Sequence, residues 1–188
     1  PATNFNGTPG SLTTRLVDNS VTPSTNGTSL NVSINGGQSA YSANTVTLNT
    51  SITAVNDAPI ATSSATLSDI LEDSTNPNGD TVSNLFRSTF SDPDNNTTTG
   101  SLAGVVITAN SANATQGSWQ YLNGNTWAAI PTSFASNSGF FLNSTTKIRF
   151  LPATNFNGTP GSLTTRLVDN SSASPLSNGS PLNVSING

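Results

Sequence analysis

Few residues in this chain could carry out chemistry. The sequence contains nine Asp and Glu residues, five Lys and Arg residues, and no His, Cys or Met. Serine hydroxyls are abundant, but a serine nucleophile requires a base to activate it. The only lysine, Lys147, lies in a strand-like pattern close to Arg149. We therefore expect that the protein is not an enzyme and that its acidic residues serve another purpose.

The acidic residues lie where predicted strands meet turns. Those that we consider as ligands lie in a linker, at the end of a strand or in a proline-containing loop: Asp57, Glu72, Asp73, Asp92, Asp94 and Asp169. Asp side chains at strand ends often form Asx-turns, which gives these residues a purely structural interpretation. A pair of carboxylates such as Glu72 and Asp92 could in principle hydrolyse a glycoside.

The composition favours an all-β protein. Ser, Thr and Asn together account for 84 of the 188 residues, whereas charged residues account for 7%. Thr fits a pleated strand, and Asn tolerates the positive φ angles of turns. The five bases are too scattered to form a phosphate-binding surface, so we expect no nucleic-acid partner. No run approaches the ~18 apolar residues of a membrane helix, so we expect no membrane insertion.

The chain contains a long internal repeat. Residues 1–20 recur unchanged at 152–171, and the run LNVSING at 30–36 recurs at 182–188. The period is therefore about 151 residues, which matches a whole domain and is too long for a solenoid unit. Identity over 20 residues indicates a recent duplication, and duplication is how long tandem arrays grow.

A domain boundary is predicted at about residue 57. The segment Ala54–Pro59 follows a strand-like run and combines turn-forming residues with a proline that cannot continue a strand ladder. Residues 1–57 would then be the C-terminal part of one β-sandwich repeat, and residues 58–188 would be the following repeat. From the 151-residue period we expect this second repeat to lack its last strand, the counterpart of Thr45–Val55.

Alternating apolar and polar residues predict many strands and little helix. The predicted strands are Ser11–Val17, Ser29–Ile34, Thr45–Val55, Ala65–Leu71, Leu102–Ala109, Gly117–Leu122, Thr126–Ile130, Thr146–Leu151, Ser162–Val168 and Pro181–Ile186. A short helix is predicted around Val82–Phe90, and a hairpin is predicted over Trp119–Trp127 with Asn123 and Gly124 in a type I′ turn. Short strands separated by frequent turns are typical of a β-sandwich.

Several motifs, taken in order, resemble those of bacterial cadherin-like tandem repeats. They are VNDAP at 55–59, FSDPD at 90–94, GSWQY at 117–121, Trp127, KIRFLP at 147–152, NFNG at 155–158 and LVD at 167–169. Repeats of this family build giant surface proteins and RTX-type adhesins. The resemblance implies a Greek-key, cadherin-like or Ig-like β-sandwich, secretion to the bacterial cell surface, and calcium at the domain junctions.

The same resemblance assigns the acidic residues to calcium. In a cadherin-like sandwich, the linker, the loop after the first strand and the DxD loop meet at one pole of the domain. Clustered carboxylates repel one another unless a cation neutralises them. Ca²⁺ takes about six to eight oxygen ligands, many of them carboxylates. We therefore expect the six acids named above to be its ligands, and this assignment needs no catalytic cleft.

The function that the resemblance implies is a structural spacer. Repeated sandwiches with calcium-stiffened linkers would hold a terminal binding domain away from the cell, with neighbouring repeats of the same protein as partners. One alternative is a glycan-binding module in which Trp119 and Trp127 stack on sugars, although such aromatic residues are more often packing residues. The other is a self-assembling fibre or surface-layer subunit, in which Thr45–Val55 of one chain completes the sheet of another by strand donation.

Overall fold

The chain folds into two compact units that consist mostly of antiparallel β-strands. The computed structural model describes residues 1–21, 25–94, 100–171 and 176–185. Unit 1 is Pro1–Val55 and unit 2 is Asn56–Gly188. Every strand pair in the described residues is antiparallel, and α-helix is confined to one short segment. The all-β class expected from the composition is therefore confirmed.

Unit 1 is built around one pair of short strands. β1 (Leu12–Thr14) pairs with β2 (Val46–Leu48), so that Leu12 lies opposite Leu48. Two isolated bridges extend the pairing, Gly7 with Ile52 and Val17 with Tyr41. Among the described residues of this unit, Ala40 is the only buried apolar residue, whereas Leu12 and Leu48 are 64% and 61% exposed. Unit 1 therefore has β pairing but almost no hydrophobic core.

Unit 2 contains two four-stranded sheets and a separate two-stranded pair. Its strands are β3 (Ile60–Ala61), β4 (Asp80–Thr81), β5 (Phe90–Ser91), β6 (Leu102–Asn110), β7 (Gly117–Asn123), β8 (Thr126–Ala129), β9 (Ser138–Asn143), β10 (Lys147–Pro152), β11 (Leu163–Asp169) and β12 (Pro181–Asn183). One sheet has the order β4-β10-β7-β8 and the other has the order β11-β6-β9-β12. The remaining pair is β3 with β5.

The two four-stranded sheets share one hydrophobic core, as the sheets of a β-sandwich do. Ile107 of β6 and Leu142 of β9 come from one sheet, and Tyr121 of β7 and Ile148 of β10 come from the other. Ile107 and Leu142 are completely buried. Burying one such side chain contributes about 1.5–3 kcal/mol relative to leaving it exposed, so this core is the main source of stability in unit 2.

The helix predicted around Val82–Phe90 forms, but it has only about one and a half turns. α1 spans Val82–Phe86 and is followed by a 3-10 turn at Arg87–Thr89. The Thr81 hydroxyl accepts a hydrogen bond from the Asn84 N–H at 3.2 Å, which satisfies one free donor of the first turn. No helix among the described residues has the length and apolar character needed to cross a membrane.

Two of the predicted strands are wrong and four strands were not predicted. Residues 29–34 and 65–71 contain no strand, although both segments alternate. Their apolar side chains are not buried against a sheet: Ile34 is 78% exposed and Leu71 is 84% exposed. The unpredicted strands are β3, β4, β5 and β9. The Phe140–Leu142 run of β9 is largely buried, so its sequence lacks the alternation of a half-exposed strand.

The remaining predicted strands form, but several are shorter than the pattern predicts. Thr45–Val55 contains only the three residues of β2, and Ser11–Val17 contains only β1. The predicted strand Pro181–Ile186 is represented by β12, and its last residue lies outside the described part of the chain.

The hairpin between β7 and β8 is confirmed, but its turn differs from the predicted type I′ turn. Asn123 pairs with Thr126, so the two central residues are Gly124 and Asn125. Gly124 has a φ of 61°, whereas neither neighbour has a positive φ. A positive φ at the first central residue alone is the pattern of a type II′ turn, which places Gly there.

Candidate metal centre

Four acidic residues and one asparagine form a connected set of hydrogen bonds in unit 2, which we call the Asp cluster. Its members are Asn56, Asp57, Asp92, Asp94 and Asp169. Asn56 and Asp57 are the first two residues of the unit. Asp92 and Asp94 lie in the loop after β5, and Asp169 is the last residue of β11. The cluster therefore connects the start of unit 2 to the ends of two strands.

The loop after β5 holds two carboxylates in a fixed arrangement. The Asp94 N–H donates to Oδ1 of Asp92 at 2.7 Å, which is the hydrogen bond of an Asx-turn. The Asp57 N–H donates to Oδ2 of Asp94 at 2.6 Å. The DxD loop and the linker are thus in direct contact, as the sequence resemblance implied for Asp57, Asp92 and Asp94.

Asn56 connects Asp169 to the same group. Its side-chain amide donates to the Asp57 carbonyl at 3.0 Å and to Oδ2 of Asp169 at 3.2 Å. The other oxygen of Asp169 accepts from the Ser171 N–H at 2.8 Å. Sequence reasoning missed Asn56 as a functional residue, although it belongs to the VNDAP motif of the linker.

Three of the four carboxylates of the cluster are buried, whereas Asp57 is half-buried. Asp92, Asp94 and Asp169 are 3%, 5% and 6% exposed. Oδ2 of Asp92 is the one buried side-chain oxygen or nitrogen among the described residues that has no hydrogen-bond partner. Leaving a buried acceptor without a partner costs about 1–3 kcal/mol, and more for a charged group. A ligand that supplies positive charge at this oxygen would remove that cost.

The residue types of the cluster fit a hard cation such as Ca²⁺. Carboxylate, amide and backbone carbonyl oxygens are the groups that Ca²⁺ prefers. All three kinds are present among Asn56, Asp57 and the three buried aspartates. Within the part of the chain that the structure describes, no three His, Cys, Asp or Glu side chains already converge in a metal-binding arrangement. Several carboxylate oxygens of the cluster instead accept N–H groups, whereas Oδ2 of Asp92 has no such donor.

The two other predicted ligands contact a different part of unit 2. Glu72 and Asp73 are both exposed. Oε2 of Glu72 accepts from the Asn157 side-chain amide at 3.2 Å, and Oδ1 of Asp73 accepts from the Asn155 N–H at 2.7 Å. These bonds attach the turn at residues 72–73 to the loop that follows β10.

Both tryptophans make packing contacts. Trp119 lies against the core, meets Phe150 edge-on at a centroid distance of 5.2 Å, and donates its indole N–H to the Gly161 carbonyl at 2.7 Å. The Arg149 guanidinium lies 4.1 Å from the centroid of the Trp127 ring. One face of Trp127 is therefore covered by a cation and is closed to a stacking sugar.

Arg149 is held in the fold by several acceptors. Its guanidinium donates to Oε1 of Gln120 at 2.8 Å and to Oδ1 of Asn76 at 2.7 Å. Burial lowers the pKa of Arg149 from its ordinary value. This basic side chain therefore serves as a structural connection between β10, β7 and the loop at residues 76–77.

Comparisons of this chain with protein-family models, with curated proteins and with solved structures found no match.

Proposed function

We propose that this chain is part of the stalk of a large extracellular bacterial surface protein, an adhesin built from tandem repeats. Each repeat would be a Greek-key, cadherin-like β-sandwich of about 151 residues. Calcium would bind where the chain enters each sandwich. The observation that carries this proposal is the buried Asp92 carboxylate, which has one unpartnered oxygen and is connected to the linker residue Asp57 through Asp94.

Calcium is the favoured cation because of the charge of the Asp cluster. Asp92, Asp94 and Asp169 are removed from water within one hydrogen-bonded set, and like charges repel strongly where water is excluded. A divalent cation would neutralise this repulsion and complete the coordination of Oδ2 of Asp92. Asp57, Asp92, Asp94 and Asp169 are the residues that would hold it, with Asn56 orienting Asp169.

The mechanical role follows from the position of these residues in the chain. Asn56 and Asp57 follow unit 1 directly, and both are hydrogen-bonded to the body of unit 2. A cation bound to Asp57 and to the buried aspartates would restrict the rotation of the linker. A series of such linkers would be stiff enough to hold a distant binding domain away from the cell surface.

The repeated sequence supports a spacer over a recognition module. Two blocks of 20 residues are identical, and a spacer can use the same module many times. A glycan-binding module would need an accessible aromatic surface, whereas Trp127 is covered on one face by Arg149. An array of immobilised glycans separates these functions, since a spacer repeat should bind none of them.

Calorimetric titration with Ca²⁺ and thermal unfolding with and without EGTA test the calcium site. A cation present at 100 times its Kd would stabilise unit 2 by about 2.7 kcal/mol. Asp92→Asn should remove most of that gain. Without calcium the same variant should be at least as stable as the wild type, since it removes the negative charge of a buried carboxylate of which one oxygen has no hydrogen-bond partner.

Asp69→Asn is the matched control for this experiment, because Asp69 is exposed and lies outside the cluster. It should keep the full calcium effect. Glu72→Gln and Asp73→Asn test the two remaining predicted ligands in the same assay. Absence of calcium binding at millimolar concentration would show that the Asp cluster is a set of turn-forming residues and would refute the calcium-stiffened linker.

A further inference from the structure

The 20-residue block occurs twice with one sequence but forms two different strand pairs. In the first copy, β1 pairs with β2, and Thr14 lies opposite Val46. In the second copy, β11 pairs with β6. Within the described residues β6 is the only strand beside β11, so β11 forms one edge of its sheet.

The two pairings use opposite edges of the same sequence. In unit 1 the carbonyl of Leu16 accepts from the Ser42 N–H at 2.9 Å, so Leu16 faces the side of β2. Leu167 is the residue that corresponds to Leu16. In unit 2 the carbonyl of Ser162 accepts from the N–H of Ser111, the residue after β6. The register shift between Thr164 and Thr165 leaves its extra residue on β6, so the alternation along β11 is not interrupted. Backbone groups alternate between the two edges of a strand, and Leu167, five residues after Ser162, therefore faces away from β6.

A groove runs along this outer edge of β11. It has a volume of about 400 Å³ and is lined by residues 61, 63–65 and 67 and by residues 162–165 and 167. Apolar side chains that contact the core also line it, namely Leu85, Phe86, Trp119 and Ile148. Residues 62–67 form no strand. The groove is thus a largely apolar slot beside a strand edge that pairs with no other strand of the described residues.

In unit 1, β2 pairs with β1, the first copy of the sequence that forms β11, and β2 has one apolar face. Val46 and Leu48 lie on one face of β2 and are 46% and 61% exposed, because the described residues of unit 1 form almost no core to cover them. Ile52 extends the same alternation. A strand with this sequence in the groove would place its apolar face on the core of unit 2 and would pair its backbone with β11.

We propose that the outer edge of β11 binds the segment Thr45–Val55 of a second copy of this chain as an added antiparallel strand. The register follows from the identical block in unit 1: Leu163 lies opposite Leu48, and Thr165 lies opposite Val46 of the second copy. Each chain carries one donor segment and one acceptor edge. Such a head-to-tail contact joins chains in series unless it closes by reciprocal exchange.

Binding of a labelled peptide to the intact chain tests the acceptor edge. The probe is a fluorescein-labelled peptide of residues 44–56, and its anisotropy is measured against increasing concentrations of the 188-residue chain. We expect a saturable rise. A peptide carrying Val46→Asp and Leu48→Asp should bind at least about tenfold more weakly, since it cannot bury its apolar face. Equal binding of both peptides, or of neither, overturns the proposal.

Disulfide trapping tests the register, because the chain contains no cysteine of its own. Directly opposite residues of paired strands lie within the distance that a disulfide spans. A Val46→Cys peptide should therefore form a disulfide with the Thr165→Cys chain. It should not form one with Thr164→Cys, whose side chain points to the other face. Thr14→Cys is the matched control, with the same local sequence but an edge already paired with β2.

The outcomes of trapping separate the proposed edge from a general affinity for the repeated block. Preferential trapping at Thr165→Cys supports the proposal. Equal trapping at Thr14→Cys and Thr165→Cys, or preferential trapping at Thr164→Cys, overturns it. Because these substitutions are single and conservative in size, circular dichroism of each variant establishes beforehand that the chain is folded.

Sedimentation velocity of the intact chain tests donation between copies. The weight-average sedimentation coefficient should rise with concentration. Growth without a plateau indicates an open series, and a plateau at the dimer indicates reciprocal exchange; both support strand donation. The Val46→Asp/Leu48→Asp chain, altered only at exposed positions of unit 1, should remain monomeric. A wild-type monomer at all concentrations overturns the proposal.

Discussion

Leu16 and Leu167 occupy the same position in the two copies of the 20-residue block, which makes them a matched pair for mutation. Leu16 is 63% exposed, whereas Leu167 is half-buried and packs against the core of unit 2. Replacing Leu with Ala removes three carbons, and each buried CH₂ contributes about 0.8 kcal/mol. We therefore expect Leu167→Ala to destabilise unit 2 by about 1–2 kcal/mol, less than the about 2–5 kcal/mol of a fully buried leucine because Leu167 is only half-buried. Leu16→Ala should cost less than about 0.5 kcal/mol, as most surface substitutions do.

Urea unfolding measures this difference. Both tryptophans lie in unit 2, so their fluorescence follows unit 2, and differential scanning calorimetry follows the whole chain. The midpoint in urea should fall for Leu167→Ala without a change in the slope of the transition. Leu163→Ala and Leu12→Ala form a second matched pair with the same expected order, since Leu12 is 64% exposed and Leu163 contacts the core. If calorimetry showed the same loss of stability for both variants of either pair, it would refute the conclusion that these leucines are buried only in the second copy of the block.

Three further predictions concern single residues. Gly124→Val should destabilise the β7–β8 hairpin by about 1–2 kcal/mol in urea unfolding, because a β-branched residue resists a positive φ, whereas Asn123→Val should have a smaller effect. Trp119→Phe should cost about 1 kcal/mol in the same assay through loss of its indole hydrogen bond, and no loss would contradict that bond. The hydrogen bonds from the Ser20 hydroxyl and N–H lower the pKa of Asp18 from its ordinary value of 3.8. Their contribution to folding stability should therefore be complete above pH 3.8 and should be lost as the pH falls through the lowered pKa. Carboxyl chemical shifts measured against pH in Ser20→Ala should show the Asp18 pKa returning toward its ordinary value.

Local sequence patterns predicted the strands of unit 2 that have one exposed face. Gly117–Leu122 and Thr126–Ile130 correspond closely to β7 and β8. β9 was missed because its apolar run does not alternate. The segment at 65–71 was predicted as a strand because it alternates, but in the described structure it has no sheet neighbour. Alternation indicates which side chains could be buried on one face. A strand also needs a neighbouring strand whose backbone pairs with its N–H and C=O groups.

The position of the β7–β8 turn was also predicted incorrectly from local sequence, by one residue. The Asn-Gly pair correctly indicated a tight turn, but a dipeptide is compatible with more than one register. Cross-strand pairing of Asn123 with Thr126 shifts the centre of the turn to Gly124 and Asn125. The register of two strands depends on which side chains face the core, and that is decided by the whole sheet.

The candidate site was predictable in part. The family resemblance brought together Asp57, Glu72, Asp92 and Asp94, and the hydrogen bonds of the structure connect Asp57, Asp92 and Asp94. Glu72 instead accepts a hydrogen bond from Asn157. The sequence could not indicate that Oδ2 of Asp92 is buried without a partner, since burial results from contacts distant in the chain. Nor could it indicate that Asn56 reaches Asp169, which lies 113 residues away.

The two copies of the repeated block separate what sequence determines from what tertiary structure decides. In both copies the block forms a strand, and in both an Asp accepts a hydrogen bond from the N–H two residues later, Asp18 from Ser20 and Asp169 from Ser171. The hydrogen bond of the Asp side chain is local, so identical residues produce it twice. Asp169 is nevertheless buried, whereas Asp18 is exposed. Burial differs because β11 is paired with β6 over a complete core while β1 has only β2, and the neighbours that remove a side chain from water are supplied by the rest of the fold.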